Sequence, residues 1–170
     1  PPLEKAELME LVKNQGFFDP DQAGFGRRPF RSPHHGVSAA GLLGGGTGTV
    51  LAGEVTLAHG GILFLDELPE FRKDALEGLR EPLQSGEIHL NRVGSRFTLP
   101  ARFLLIAAMN PCPCGFDQDP RQKCSCAPDR PLAYRRKISG PIYDRLDLCV
   151  FLRAPLQASE AVDTPHTELR

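Results

Sequence analysis

Ile62-Leu63-Phe64-Leu65 is a continuous apolar run that ends on two consecutive acids, Asp66 and Glu67. A run without polar alternation suits a strand buried on both faces, and such strands occur in parallel sheets covered by helices. Phe103 to Ala108 is a second run of the same kind. Between them Phe71, Ala75, Leu76, Leu79 and Leu83 recur at helical spacing, and Pro82 is expected to kink or shorten the last turn. Strand, helix and strand in that order specify an α/β fold on a parallel sheet. One stretch departs from it: Ile88 and Leu90 alternate with His89 and Asn91, Val93-Gly94-Ser95 turns, and Phe97 and Leu99 alternate again. That pattern predicts a β-hairpin inserted before the second buried strand.

The flanks are less regular. Leu3 to Lys13 reads as a helix with Leu3, Leu8, Leu11 and Val12 on one side. Phe17 to Gly53 is rich in Gly, Pro, His and Ser but carries Leu42 and Leu43, which fits an ordered functional loop or insertion. Leu146, Leu148, Val150 and Leu152 alternate into an expected last strand, with Cys149 as a small buried apolar residue. The division expected is one core over 1–155 and a loose polar tail over 156–170. Apolar residues at 41% and charged residues at 24% fit one soluble globular domain. No apolar run approaches the roughly 18 residues of a membrane span, and the start has no signal-peptide pattern, so a cytoplasmic protein is expected. It opens on Pro1-Pro2 and ends in a polar stretch, the expectation for an internal piece of a longer protein.

A buried parallel strand delivers Asp66 and Glu67 to its carboxyl end, where open α/β sheets bind ligands. In nucleotide hydrolysis the aspartate of such a pair holds Mg²⁺ and the glutamate polarises the attacking water. The alternative is a helix cap, since acids after a strand often start the next helix. The second run ends in Met109-Asn110, which would set a neutral amide beside the acids if the two strands are neighbours; otherwise Asn110 before Pro111 is a turn residue. Cys112-x-Cys114 and Cys124-x-Cys126 bracket a Gly-, Asp- and Pro-rich loop. Four thiolates brought together in a cytoplasmic protein favour Zn²⁺, with free thiols and a disulfide as alternatives. His34-His35 is a poor metal candidate, because adjacent side chains rarely converge on one ion. The net charge of −1 excludes a surface that binds nucleic acid all over. Local clusters remain at Arg27, Arg28 and Arg31, at Arg92 and Arg96, and at Arg135, Arg136 and Lys137, each readable also as a solvated face.

The stretch Gly53 to Glu67 resembles the Walker B region of AAA+ proteins of the magnesium-chelatase-like group. Phe30-Arg31-Ser32-Pro33-His34-His35, Asn110-Pro111-Cys112-Pro113-Cys114-Gly115 and Ile138 to Asp147 narrow the resemblance to its ComM/YifB-type, competence-related branch. It covers residues 1–155. By resemblance, Asp66 and Glu67 are the Walker B pair, Asn110 is the sensor 1 residue, and Arg145 is an arginine finger that reaches a neighbouring subunit's nucleotide. The alternative for Arg145 is a salt bridge to Asp144 or Asp147. One departure matters: the family usually has Arg immediately before Ile-Ser-Gly, and this chain has Lys137 there, which puts a planar, bidentate role in doubt.

The resemblance implies a P-loop NTPase-like parallel sheet with flanking helices, a helix-2 insertion over Phe30 to Gly46 and a pre-sensor-1 hairpin over Glu87 to Leu99. His89, Asn91, Arg92 and Arg96 would be the hairpin's contacts to substrate, or ordinary solvated strand residues. No G-x-x-x-x-G-K-[ST] occurs, and Gly44 to Thr49 lacks the lysine that reaches phosphates. The expectation is a fragment lacking P-loop and helical lid, inactive alone, from an ATP- and Mg²⁺-dependent ring, hexameric by resemblance, that remodels DNA. Rival readings are a magnesium-chelatase motor subunit for metal insertion into a porphyrin and a zinc-stabilised interaction module with a degenerate nucleotide site.

Overall fold

The computed structural model describes residues 28–45, 51–92 and 95–152. Strand β1 (Phe30–Arg31) is followed by helix α1 (Ala39–Leu43), whose N-cap Ser38 accepts the Gly41 N–H at 3.0 Å. A short antiparallel ladder, β2 (Gly44–Gly45) with β3 (Leu51–Ala52), leads to α2 (Glu54–Leu57) and β4 (Ile62–Leu65). A 3₁₀ turn (Leu68–Glu70), α3 (Lys73–Gly78) and α4 (Arg80–Ser85) precede the hairpin strands β5 (Glu87–Arg92) and β6 (Ser95–Pro100). Then come β7 (Leu104–Ala107), α5 (Arg130–Arg135) and α6 (Gly140–Tyr143).

The main sheet has the order β1-β4-β7 and is parallel throughout, with Phe30 level with Ile62 and Leu65 level with Ala107. The expected α/β arrangement is therefore present, and the hairpin pairs in the expected place, Ile88 with Leu99 and Leu90 with Phe97. Strand β1 was not anticipated as a strand. It lies inside the span expected to be an insertion, yet Ile62 N–H donates to the Pro29 carbonyl at 2.8 Å. Gly61 is required there, because a Cβ would collide with that carbonyl. Leu42 of α1 is likewise fully buried in the core.

Leu63 and Leu65 point into the covered face, among Val55, Ala58, Leu68, Ala75, Leu79 and Ile142. The opposite face departs from the expectation of two-sided burial: Phe30, Leu104 and Ile106 are 60%, 59% and 40% exposed, and among the described residues only one face is covered. The expected single helix over 71–83 is two. Pro82 has no N–H to give and its ring crowds the carbonyl four residues back, at Gly78. Helix α3 ends at that residue and α4 restarts with Pro82 in its first turn.

The last expected strand does not form in the described residues. Leu148, Val150 and Leu152 are 80%, 66% and 92% exposed, and Cys149 is exposed rather than buried. Alternation states only that one face favours burial; a strand also needs a partner, and no described strand lies beside residues 146–152. The expected helix at Leu3 to Lys13, the turn at Val93-Gly94 and the tail from 156 fall outside the described residues. No helix among the described residues is long and apolar enough to cross a membrane.

Candidate nucleotide-binding edge

All three strands of the main sheet end on one edge, and Asp66 and Glu67 follow β4 there. Glu67 adopts φ 52° and ψ 46°, the left-handed region, which costs a non-glycine residue about 1–2 kcal/mol. Asp66 Oδ1 accepts the Glu67 N–H at 2.8 Å. Glu67 stands at the N-cap of the 3₁₀ turn, but its side chain makes no capping bond. Its Oε2 lies instead 3.1 Å from His35 Nδ1. The carboxylate is thus engaged across the sheet edge, which argues against the plain helix-cap reading of that residue.

His35 is the site residue that sequence reasoning missed. The β1–β4 register sets Phe30 level with Ile62. Carried past the strand ends at the same offset, it sets His35 level with Glu67. Two further contacts hold the imidazole, the edge of Phe71 at 6.4 Å between centroids and the His34 ring at 4.0 Å. His34 Nδ1 accepts the Gly36 N–H at 3.0 Å and so fixes the turn that carries both rings. The available signal was the parallel register, invisible until β1 is recognised as a strand.

Asn110 arrives on the same edge. The Ala108 N–H donates to the Leu65 carbonyl and the Ala108 carbonyl accepts the Leu68 N–H, both at 2.9 Å, so the end of β7 is laced to both sides of the acid pair. Asn110 is exposed there. Tyr143 OH donates to Met109 Sδ at 3.6 Å.

Arg145 is not gathered with these three. Its Nη1 donates to the Pro141 carbonyl at 2.6 Å and its Nη2 to Gln84 Oε1 at 2.8 Å, while among the described residues Nε is buried without a partner. The salt bridge to Asp144 or Asp147 is not what holds it among the described residues. Lys137, where an arginine was expected, lies over the Tyr134 ring and makes one ion pair, Nζ to Glu70 Oε2 at 3.3 Å. That is a point-charge contact an ammonium serves well.

On the hairpin, His89 pairs with Thr98 and Asn91 with Arg96, so these positions share one face of the ribbon. Arg92 pairs with Ser95, in the register of Ile88 and Leu90 on the other face. His89 and Arg96 are exposed, and His89 Nδ1 lies 3.0 Å from Thr98 Oγ1.

The four cysteines converge. Cys112 Sγ is 3.3 Å from Cys114 and 3.8 Å from Cys124, Cys114 is 3.5 Å from Cys124, and all four sulfurs lie within 4.8 Å of one another. Backbone N–H groups of Phe116 and Ser125 hold the Cys114 thiol down to about 5. Cys124 receives the Cys126 N–H, yet burial and the neighbouring sulfurs of Cys114 and Cys112 push it up to about 12. The cluster can hold a metal ion.

An open parallel α/β sheet with two acids and an amide on its carboxyl edge belongs to the class of sheets that bind ligands at their strand ends. The chain belongs to the magnesium-chelatase family of AAA+ proteins: the family described as magnesium chelatase, subunit ChlI, matches residues 1–160. It is 46% identical over 157 residues to the uncharacterised protein YifB of Salmonella typhimurium, 91% of this chain and 30% of that one. It is 44% identical over 148 residues to the competence protein ComM of Haemophilus influenzae, 87% of this chain and 28% of that one. A probable DNA helicase of Arabidopsis thaliana, MCM9, is 26% identical over 117 residues, 69% of this chain and 16% of that one. The chain therefore spans under a third of the length of these relatives.

Proposed function

We propose that this chain supplies the Walker B, sensor 1 and arginine-finger parts of a cytoplasmic, ATP-hydrolysing ring motor that acts on DNA, its core running through residue 155. The observation that supports the reading is the single sheet edge that Asp66, Glu67 and Asn110 share, where the Ala108 bonds join the end of β7 to Leu65 and Leu68 on either side of the acid pair. The donor set fits the cofactor: a hard cation takes oxygen ligands and few carboxylates, and Asp66 offers one at an exposed strand end. Held by Asp66 with ATP, Mg²⁺ would neutralise phosphate charge. Glu67 takes the proton of the attacking water. Asn110 orients that water through its amide. Arg145 meets the nucleotide of the next subunit in a ring, a hexamer by family analogy. His89, Asn91, Arg92 and Arg96 carry the hairpin's contacts to DNA, and Zn²⁺ in the cysteine cluster completes the cofactor set. The phosphate cradle and its lysine come from outside these residues, so the 170-residue chain is inactive alone.

The names of the competence protein and the probable helicase support DNA as substrate. The name of the matching family favours a second reading, a motor for metal insertion into a porphyrin. The test uses the full-length protein. Glu67→Gln keeps ATP binding and abolishes turnover, while Asp66→Asn weakens Mg²⁺-dependent binding. Equal activity in both variants and the unsubstituted protein rules out the assigned roles, and ATPase activity unmoved by any DNA favours the second reading.

A further inference from the structure

We propose that Cys112, Cys114, Cys124 and Cys126 bind one structural Zn²⁺, and that this ion is the clamp that fixes the backbone of Asn110 on the nucleotide edge. The first half stands on the cluster alone; the second rests on the ATPase reading of Asn110.

Four thiolates at about 2.3 Å from a tetrahedral zinc stand roughly 3.8 Å from one another. The separations among Cys112, Cys114 and Cys124, 3.3, 3.5 and 3.8 Å, lie near that value, and the Cys126 sulfur lies within 4.8 Å of all three. The backbone is shaped for sulfur ligands. Gly115, at φ 84°, closes a turn in which its N–H donates to the Cys112 carbonyl at 3.0 Å. The N–H groups of Phe116 and Ser125 are directed at Cys114, that of Cys126 at Cys124 and that of Cys114 at Cys126. Such donors orient thiolate ligands and offset their charge. The chain also needs a fastening here. From Ala108 to Asp129 no helix or strand forms, and long segments of that kind are ordered in compact domains only for a specific reason.

The connection to Asn110 is direct. Cys112, fully buried, is two residues away, and the residue between, Pro111, gives its carbonyl to Arg135 Nη1 at 3.1 Å. The same Nη1 donates to Asp117 Oδ2 at 2.7 Å, inside the cysteine loop. Asp119 takes both the backbone and the side-chain N–H groups of Arg121, and that pairing holds its carboxyl down to about 2. Asn110 thus hangs between Met109, touched by Tyr143, and a loop whose closure is the metal cluster. Without the ion the four sulfurs share no common ligand, Cys112 is free to leave its buried position, and the backbone at Asn110, two residues away, loses that anchor. The cysteines are positioning residues: they act on the water only through Asn110.

The experiment begins with full-length protein prepared without added metal, with elemental analysis beside a Cys124→Ser variant and a Cys124→Ser/Cys126→Ser variant. Zinc at about one per chain, falling to near zero in the double variant, is expected. A metal-free protein with four reduced cysteines and an ordered loop overturns the site, as does iron in place of zinc. The clamp is read by amide hydrogen exchange over residues 108–113 before and after a zinc chelator: exchange at least about tenfold faster is expected, with β4 amides unchanged. Unchanged protection after zinc has left overturns the clamp whatever the protein's activity. In the same variants, kcat falls by about 10–100-fold with nucleotide affinity within about threefold. If the unsubstituted protein hydrolyses no ATP, the ATPase reading fails while zinc content and exchange still decide the site and its clamp.

Discussion

Arg145→Ala in the full-length protein separates a ring motor from a self-contained enzyme. Among the described residues the guanidinium makes two hydrogen bonds, to the Pro141 carbonyl and to Gln84. Losing two partly exposed bonds of that kind costs about 1–3 kcal/mol of stability, a shift in melting temperature rather than unfolding. A cation at a transferring phosphoryl group contributes about 10³ to 10⁵ in rate. In activation free energy that is about 4–7 kcal/mol. The two magnitudes do not overlap, so ATPase and melting measurements on one variant distinguish them. Among the described residues the Nε of Arg145 is also buried without a partner, a donor that packing there does not account for. Mixing supplies the decisive assay. Arg145→Ala retains Asp66 and Glu67, and Glu67→Gln retains the arginine, so neither is active alone. With random head-to-tail assembly at equal amounts, about one quarter of interfaces join the intact acids to the intact arginine. Activity should recover toward that fraction. If subunits exchange and mixed rings form but activity stays absent at every ratio, the trans role is wrong.

Three further outcomes follow from the same geometry. His35→Ala should lower kcat about tenfold with nucleotide affinity within about twofold, because it releases the Glu67 carboxylate without touching Asp66; an unchanged kcat in steady-state kinetics would make the contact incidental. Arg96→Ala should weaken DNA binding and lower the slope of log affinity against log salt by about one, with basal ATPase intact, and a slope that does not move removes Arg96 from the DNA surface. The 170-residue chain by itself should show no ATP hydrolysis, and calorimetry giving tight, Mg²⁺-dependent ATP binding would refute the dependence on an external phosphate cradle.

The parallel sheet, the hairpin and the cysteine cluster were legible because each is written locally. Ile62–Leu65 and Leu104–Ala107 are strands by composition, the hairpin by period, and the cysteines by spacing. What was not legible depends on partners distant in sequence. Phe30-Arg31 is too short to carry a period, and only hydrogen bonding to β4 makes it a strand. Leu146 to Leu152 carries the period and lacks the partner, so in the described residues Leu148, Val150 and Leu152 stand in solvent. Arg145 has a readable motif, but its contacts to Gln84 and Pro141 arise from tertiary packing that no window of sequence contains.

The missed strand also explains why the site is where it is. Arg31 grips Glu54 through two bonds, Nε to Oε2 at 2.6 Å and Nη2 to Oε1 at 2.9 Å, a planar fork that lysine would not reproduce. The hydrogen bonds and charge of the Glu54 carboxylate raise the arginine's pKa further. This grip ties β1 to α2, while the strand pairing and the Pro29 carbonyl on Ile62 set its register against β4. Register has no intermediate values: a slip of one residue would turn every side chain of β1 over and bring His34, not His35, level with Glu67. The β1–β4 register therefore decides which imidazole meets the glutamate, and the Arg31–Glu54 pair braces the strand that carries it. Arg31→Lys is the substitution that tests it: fold and Asp66 are retained, one of two bonds is lost, and the His35 to Glu67 contact loosens. Turnover should fall in Arg31→Lys, and the loss should add less than fully to that of His35→Ala, because both substitutions act on the His35–Glu67 contact. Full additivity of the two would show that β1 holds its register without the Arg31–Glu54 pair.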